Sequence, residues 1–285
     1  MSAYEISLRP MTEADIDDGL RLCRASGWNQ TARDWQQFLH LAPGGAAVAE
    51  RNGRVIATVA TMRYDRRFAW IGMVLVDPAE RGRGVGTRML AEGLALVADL
   101  PLAGLDATPA GNPLYVRHGF REEYGLARMQ CPARLGLQAS ASGVRPMTAA
   151  DLAGVIAYDE WVLGASRASM LRWMLEGAPE LAWVAVADGR VSGYTFGRRG
   201  HLFRHVGPIV ADDEHAAATL LNACLAAPAG GPYVVDVPRR SGGWLKVVAE
   251  LGFTEQRPLI RMSRGVGRLP GHPERLFAIL GPEFG

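Results

Sequence analysis

The sequence has few cysteines, and they do not form the spacing of a disulfide framework or a zinc site. Only Cys23, Cys131 and Cys224 occur in 285 residues, and no C-x-x-C pair is present. Isolated, widely spaced thiols are typical of a reducing compartment. We therefore expect free thiols and no bound metal.

Long apolar runs and an excess of one charge are also absent. No stretch of 18 apolar residues occurs, and the N-terminus M-S-A-Y-E-I-S-L-R-P lacks the apolar segment of a signal peptide. The formal net charge is +2, and no run of Lys and Arg appears. These features predict a cytoplasmic protein without a membrane or nucleic-acid partner. They leave the oligomeric state open.

The sequence does contain an internal repeat. R-P-M-T-E-A-D at 9–15 returns as R-P-M-T-A-A-D at 145–151, and I-G-M-V-L-V-D at 71–77 matches V-G-P-I-V-A-D at 206–212. N-G-R-V and H-G-F recur in the same order as D-G-R-V and L-G-F. The chain is therefore predicted to be two copies of one module, 1–132 and 144–285, joined by a linker rich in small residues.

Periodicity and turn signals predict an α+β fold for the first module. Its strands are expected at 4–8, 46–50, 55–62, 73–76, 102–107 and 120–129, the last one closing the module. Its helices are expected to end near 25 and 41 and to span 86–98 and 113–118. At the end of the chain, 273–280 reads as a short helix.

The segment R-G-R-G-V-G-T at 81–87 separates the central strand from the helix that follows. Glycines at alternate positions remove side chains from a turn that opens a helix, so backbone N–H groups can bind an anion. A P-loop would require Lys-Ser/Thr after the last glycine, and a dinucleotide-binding loop would require G-x-G-x-x-G. Neither pattern is present; a plain glycine-rich turn is the structural alternative.

The spacing R-x-x-G-x-G after V-D-P resembles the pyrophosphate loop of the GNAT acyltransferase superfamily. L-Y-V-R-H-G-F at 114–120 matches a second signature of that superfamily. L-D-A-T-P-A-G-N-P-L-Y and G-W-N-Q-T-x-x-D-W resemble tandem GNAT proteins of bacteria that carry a degenerate C-terminal acetyltransferase-like domain. The resemblance implies two GNAT-like modules, each a central mixed β-sheet flanked by helices.

The resemblance also implies how acetyl-CoA binds. The loop would hold its pyrophosphate, and the backbone of the preceding strand would hold the pantetheine arm and the thioester. Thr108 stands where the superfamily often has Asn, which leaves one hydrogen bond to that arm open. The implied cofactor-binding residues are Met73, Val74, Leu75, Val76, Arg81, Gly82, Arg83, Gly84, Val85, Gly86, Thr87, Thr108 and Asn112.

Two catalytic residues follow from the resemblance. Tyr115 is the implied acid that protonates the CoA sulfur; the alternative is an aromatic residue that packs on a short helix. Many GNAT enzymes have a Glu where this chain has Ala69, so the general base must come from elsewhere. Asp106 is the best substitute, with His40, Asp65 or a water chain behind it, although Asp106 could equally cap a strand end.

Trp28, Asn29 and Gln30 follow the first helix, and we expect them to bind the acceptor. An aromatic ring and two amides can stack on and hydrogen-bond to a polar small molecule. The alternative is a turn between helices with Trp28 buried.

The second module has lost the implied machinery. Asp212–Leu220 reads D-D-E-H-A-A-A-T-L where the first module has its glycines, and Val248 replaces Tyr115. We expect this copy not to bind CoA in the same way, and to form a wall, lid or acceptor subsite instead.

The resulting hypothesis is an acetyl-CoA-dependent N-acetyltransferase that acts on a primary amine of a small molecule. No cysteine lies in the motifs, which favours direct attack in a ternary complex over an acyl-enzyme. A non-catalytic acyl-CoA-binding or metabolite-sensing regulatory protein is the alternative, and a protein-lysine acceptor is a third option.

Overall fold

The structure is a computed structural model, and it describes residues 6–132, 143–226, 231–240 and 242–285. Most of the predicted linker and the start of the predicted strand 4–8 lie outside these residues. None of the described helices is both long enough and apolar enough to cross a membrane.

Within residues 6–132 the chain contains six strands and four α-helices. The helices are α1 (Ile16–Ala25), α2 (Ala32–Leu41), α3 (Val85–Ala95) and α4 (Asn112–Arg117). The strands are β1 (Ser7–Pro10), β2 (Ala46–Arg51), β3 (Arg54–Tyr64), β4 (Phe68–Val76), β5 (Leu102–Ala107) and β6 (Arg121–Cys131). The order of elements is the predicted one.

The described second half repeats this order and adds a strand. The helices are α5 (Leu152–Leu163), α6 (Ala168–Gly177), α7 (Glu214–Leu225) and α8 (Gly242–Glu250). The strands are β7 (Val144–Pro146), β8 (Trp183–Ala187), β9 (Arg190–Arg199), β10 (Arg204–Ala211), β11 (Tyr233–Pro238), β12 (Thr254–Gly265) and β13 (Leu276–Ala278). The prediction of a helix over 273–280 is wrong: only one 3-10 turn forms before β13, which pairs with β10.

Local hydrogen bonds account for the helix starts in both copies. Asp15 accepts hydrogen bonds from the backbone and hydroxyl of Thr12, and Asp34 does the same for Thr31. Asp151 repeats the arrangement with Thr148. Such boxes satisfy N–H groups that have no partner within a helix, so they fix where each helical segment begins.

All thirteen strands form one mixed sheet that runs through both halves. Its order is β1-β2-β3-β4-β5-β12-β6-β11-β10-β9-β8-β7, and β13 pairs with β10 outside this path. A buried core also crosses between the halves, since Phe38 of α2 stacks on Phe284 at a ring-centroid distance of 4.7 Å.

The two halves exchange their last long strands. β6 was predicted to close the first module, but it pairs with β11 and β12 of the second half. β12 in turn lies against β5, with Arg261 opposite Asp106. Each half therefore completes the sheet of the other, and residues of the second half reach the predicted site in the first.

Candidate active site

A bulge in β4 opens the sheet beside the predicted thioester position. Thr58 and Ala60 of β3 pair with Leu75 and Gly72, so two residues of β4 face one residue of β3. Met73 in this bulge has a φ of 54°, a conformation that side chains rarely adopt. The Thr58 hydroxyl donates to the Met73 carbonyl over 2.8 Å, which fixes the bulge.

β4 and β5 separate just before this bulge. They are parallel, and within the fully described stretch 68–107 their pairing is limited to Ala69 with Ala103 and Trp70 with Gly104. Beyond Trp70 the edge of β4 that faces β5 is therefore not paired with β5. Such an edge offers backbone hydrogen-bonding groups to an extended ligand arm.

The glycine-rich loop adopts the geometry that an anion site requires. Gly82 and Gly84 have φ values of 72° and 79°, and a Cβ built on either would meet nothing within 4 Å. Gly84 caps the eleven-residue helix α3. The N-terminus of α3 therefore opens towards empty space, where its N–H groups and dipole favour a phosphate.

Arginines surround this loop and hold it against its neighbours. Arg81 donates to the Val76 carbonyl and to the Ser26 hydroxyl, which ties the loop to β4 and α1. Arg83 lies 3.5 Å from Glu80 and is mostly exposed. Both guanidinium groups therefore place positive charge near the N-terminus of α3.

A cavity of about 850 Å³ connects the loop, the β4 edge and the start of α4. Most of the predicted residues line it: Trp28, Gln30, Met73, Val74, Leu75, Val76, Arg81, Gly82, Gly86, Asp106, Thr108 and Tyr115. Six predicted residues do not line it: Asn29, Arg83, Gly84, Val85, Thr87 and Asn112.

Two of these six, Asn29 and Asn112, form hydrogen bonds to other parts of the protein, and their role as ligand contacts stays a prediction. The Asn29 amide donates to the Phe203 carbonyl, and its oxygen accepts from the N–H groups of Leu202 and Phe203. Asn29 thus joins the two halves. The Asn112 amide donates to Glu122 over 2.6 Å.

Tyr115 lines the cavity on α4, and its ring packs edge-on against Phe120 at 5.9 Å. Its hydroxyl makes no hydrogen bond with any described residue. Burial raises the pKa of Tyr115 to about 12, because the phenolate would lose solvation. The side chain is therefore a neutral proton donor at neutral pH.

Asp106 borders the cavity, but both its oxygens are engaged. Arg261 of β12 donates to them over 2.9 and 2.8 Å, and the Asp106 side chain is fully buried. The Arg261 guanidinium also lies over the Trp70 ring, 4.5 Å from its centroid. Burial raises the pKa of Asp106 although Arg261 opposes this, but the bidentate pair leaves neither oxygen free to accept a proton from a ligand.

The second half supplies lining residues that the sequence analysis missed. Arg257 and Leu259 come from the exchanged strand β12, and Pro282 and Glu283 come from the C-terminal tail. The Trp70 indole donates to the Pro282 carbonyl over 2.8 Å, and the Tyr64 hydroxyl donates to the Phe284 carbonyl. The tail is thereby held across β4, next to the bulge.

Glu283 is 3% exposed and accepts a hydrogen bond from Arg198. Burial opposes its ionisation, but Arg198 and a hydrogen bond with Gln30 outweigh burial and lower the pKa of Glu283. A charged carboxylate therefore faces the cavity at neutral pH. No local sequence signal indicated this residue, since it reaches the site only through the path of the tail.

In the second half, β13 occupies the cleft that corresponds to the opening between β4 and β5. β10 and β11 pair only over Arg204–Val206, and β13 pairs with β10 beyond that point. A Cβ on Gly207, the counterpart of Gly72, would clash with the Ile279 carbonyl. The start of α7 is capped by the Asp213 side chain instead of a glycine loop.

Comparisons with known proteins agree with this architecture. Residues 42–122 and 155–278 each match a family model described as an acetyltransferase (GNAT) domain. Holothin acyltransferase of Pseudoalteromonas sp. (strain SANK 73390) is 27% identical over 92% of this chain and 88% of its own length. The uncharacterized N-acetyltransferase YitH of Bacillus subtilis (strain 168) is 26% identical over 96% of both chains.

A solved structure also has the same fold. A tandem GNAT protein from the clavulanic acid biosynthesis pathway superposes with a TM-score of 0.64 at 17% identity, covering 93% of this chain and 99% of the other. Two matched domains, a tandem neighbour and two named acyltransferase relatives identify the family. The chain belongs to the GNAT acyltransferase superfamily as a tandem protein, and it is an acetyltransferase enzyme that uses an acyl-CoA.

Proposed function

We propose that this enzyme transfers an acetyl group from acetyl-CoA to a primary amine of a small molecule, by direct attack within a ternary complex. The observation that carries the proposal is the single cavity in which the glycine loop, the β4 bulge, Tyr115 and Glu283 meet. A relative named holothin acyltransferase supports a small molecule as the acceptor class.

Each part of the cavity has a role in this proposal. The pyrophosphate lies at the N-terminus of α3, and the acyl arm lies along the β4 edge from Met73 to Val76. The amine nitrogen attacks the thioester carbon, whose oxygen is stabilised by backbone N–H groups of the bulge. The C–S bond then breaks, and Tyr115 gives its proton to the sulfur.

We place the amine beside Glu283 instead of Asp106. The Glu283 backbone packs against Gly72, the residue before Met73, and Arg198 donates to one Glu283 oxygen, whereas Arg261 occupies both oxygens of Asp106. A charged carboxylate at this point attracts the ammonium form of the acceptor, which loses one proton to water before its lone pair attacks. Glu283 accepts the second proton as the amine becomes the amide. Asp106 then serves to orient Arg261 and the exchanged strand.

The first half would hold the only acyl-CoA site in the described part of the chain. Support comes from β13, which fills the matching cleft of the second half, and from the acidic start of α7. The second half contributes Arg257, Leu259, Pro282 and Glu283 to the acceptor side of the cavity. We propose that this contribution is its role.

The experiment that tests the proposal is CoA release from acetyl-CoA in the presence of individual amines, followed with a thiol reagent and by mass spectrometry of the product. We expect an N-acetylated small molecule and no covalent acetyl-enzyme. Acetylation confined to protein lysines would show that the acceptor is a protein and not a small molecule. Binding of acetyl-CoA without transfer to any amine or protein would favour a regulatory role.

A further inference from the structure

The acceptor side of the cavity is lined by Trp28, Gln30, Arg128, Arg257 and Glu283. Its two ends offer different partners to a ligand: carboxylate and amide oxygens at one end and guanidinium groups at the other. The two ends differ in how their carboxylates and guanidinium groups are paired. It bears on which small molecule the proposed transfer reaction accepts.

At the end near α2, two carboxylates share one guanidinium. Arg198 pairs with Asp34 over 2.5 Å and also with Glu283, and all three side chains are buried. Gln30, which is 4% exposed, has a side-chain oxygen without a hydrogen-bond partner among the described residues. Arg24 also lies at this end, where it donates to the carbonyls of Trp28 and Gln30. The two carboxylates and the Gln30 side-chain oxygen are the acceptors that a bound ammonium group could use.

At the end near β12, two guanidinium groups face one carboxylate. Arg128 and Arg257 lie opposite each other in the register of β6 and β12. Arg128 binds both oxygens of Asp236 over 2.8 and 2.7 Å. Arg257 makes no hydrogen bond or ion pair with any described residue, and its Nε is fully buried.

Arg257 is partly buried, and a ligand that pairs with its guanidinium would offset the cost of that burial. Burial, and then the neighbouring Arg128, lower the pKa of Arg257 to about 10, so the group remains charged at neutral pH. A buried charge without a partner destabilises a protein. A planar carboxylate would accept two parallel N–H bonds from such a side chain.

We propose that the acceptor amine also carries a carboxylate, which Arg257 binds while the amine lies at Glu283. This inference rests on the proposed acetyl transfer and names the class of its substrate: amino acids and related amino carboxylates. The orientation is consistent with the chemistry, since Glu283 lies against Gly72 next to the bulge and Arg257 lines the same cavity from β12. The CoA phosphates have their own site at α3.

The experiment compares matched acceptors on the native enzyme, on Arg257→Gln and on Arg264→Gln. The acceptors are the protein-forming amino acids and the amines that remain after their decarboxylation, so each pair differs by one carboxylate. Arg264 lies on the same strand but is exposed and outside the cavity, which makes it a matched control. CoA release gives kcat/KM for every pair.

We expect the native enzyme to prefer the carboxylated member of its best pair by about tenfold to a hundredfold, as one charged hydrogen-bonded contact provides. Arg257→Gln should remove that preference by lowering kcat/KM for the amino acid and not for its decarboxylated amine. Arg264→Gln should retain it. Equal rates within every pair, or a preference that persists in Arg257→Gln, would overturn the inference.

A binding measurement separates this inference from the transfer reaction itself. The same pairs are titrated calorimetrically into the protein saturated with CoA. If no amine is acetylated but an amino acid binds and Arg257→Gln abolishes its binding, the proposed reaction fails and the carboxylate site stands. If no amino acid binds, or if Arg257→Gln weakens CoA binding instead, the carboxylate site is wrong.

Discussion

Glu283 lies directly against Gly72, although the two residues belong to opposite halves of the chain. A Cβ built on Gly72 would come within 2.5 Å of the Glu283 carbonyl oxygen and 2.9 Å of its Cα. The absence of a side chain at Gly72 therefore permits the tail to cross β4 next to the bulge. The cavity of the first half is thus lined in part by the end of the second.

The first prediction follows from this contact. Gly72→Ala should displace the tail, because backbone atoms cannot give way as a flexible side chain can. We expect a loss of about 1–3 kcal/mol in the free energy of unfolding and a raised KM for the amine. Denaturant unfolding and steady-state kinetics measure both. Gly242→Ala, where a Cβ meets nothing within 4 Å, is the control that should change neither.

The second prediction concerns the Glu283 charge. Glu283→Gln keeps the shape of the side chain, and Arg198 retains Asp34 as a partner, so the fold should persist. We expect kcat/KM for the amine to fall about tenfold or more, with acetyl-CoA affinity unchanged. Glu250→Gln on the exposed face of α8 is the control. An unaltered kcat/KM would show that Glu283 does not act on the amine and would favour Asp106 as the general base.

The third prediction concerns Tyr115. Tyr115→Phe keeps the ring and its packing on Phe120, so acetyl-CoA affinity should hold while kcat falls about a hundredfold. Because the pKa of Tyr115 is raised to about 12, the native rate should show no alkaline decline from this residue between pH 7 and about 10. Rate profiles of both forms test this. A Tyr115→Phe enzyme with native kcat would rule out the acid role.

The fourth prediction concerns stability at mildly acidic pH. Arg198 can only donate to His205, and it meets Nδ1 at 3.1 Å, so the imidazole hydrogen is on Nε2. Nε2 lies 2.9 Å from Asp236 without the geometry of a hydrogen bond. Burial lowers the pKa of His205, and Arg198 and Arg128 add to this, although Asp236 opposes it. The neutral imidazole is therefore the form that the folded protein holds.

The sign of the pH effect follows from this lowered pKa. Below about pH 6.5 the unfolded chain gains a proton at His205 that the folded chain does not, so stability should fall as pH falls from 7 to 5. The contribution of one site is at most about 1.4 kcal/mol per pH unit. Urea unfolding of the native protein and of His205→Gln across this range tests it. Equal slopes in the two proteins would contradict the assignment.

Local sequence signals predicted those parts of the site that depend on neighbouring residues. The glycine loop and the Tyr115 signature act over a few residues, and the corresponding elements form. The strand exchange could not be predicted in this way. β6 and β12 have equivalent patterns in the repeat, so each fits either half of the sheet.

The tail was not predictable for a related reason. Leu276, Phe277 and Leu280 suit a short helix by spacing alone, but their position is set by the open cleft beside β10, which exists only once the sheet has formed. Glu283 and Arg257 consequently had no motif around them. The hydrogen bonds of Asn29 could not be predicted either, because its partners Leu202 and Phe203 lie far away in sequence.

The most direct test of the central claim is a calorimetric titration of the native chain with acetyl-CoA, alongside Gly86→Glu and Gly86→Ala. A Cβ at Gly86 comes no closer than 3.7 Å to Val76, so alanine fits, whereas glutamate would bring a negative charge to the phosphate site. We predict one site per chain, retained in Gly86→Ala and lost in Gly86→Glu. Two sites, or binding that survives in Gly86→Glu, would contradict a single acyl-CoA site in the first half.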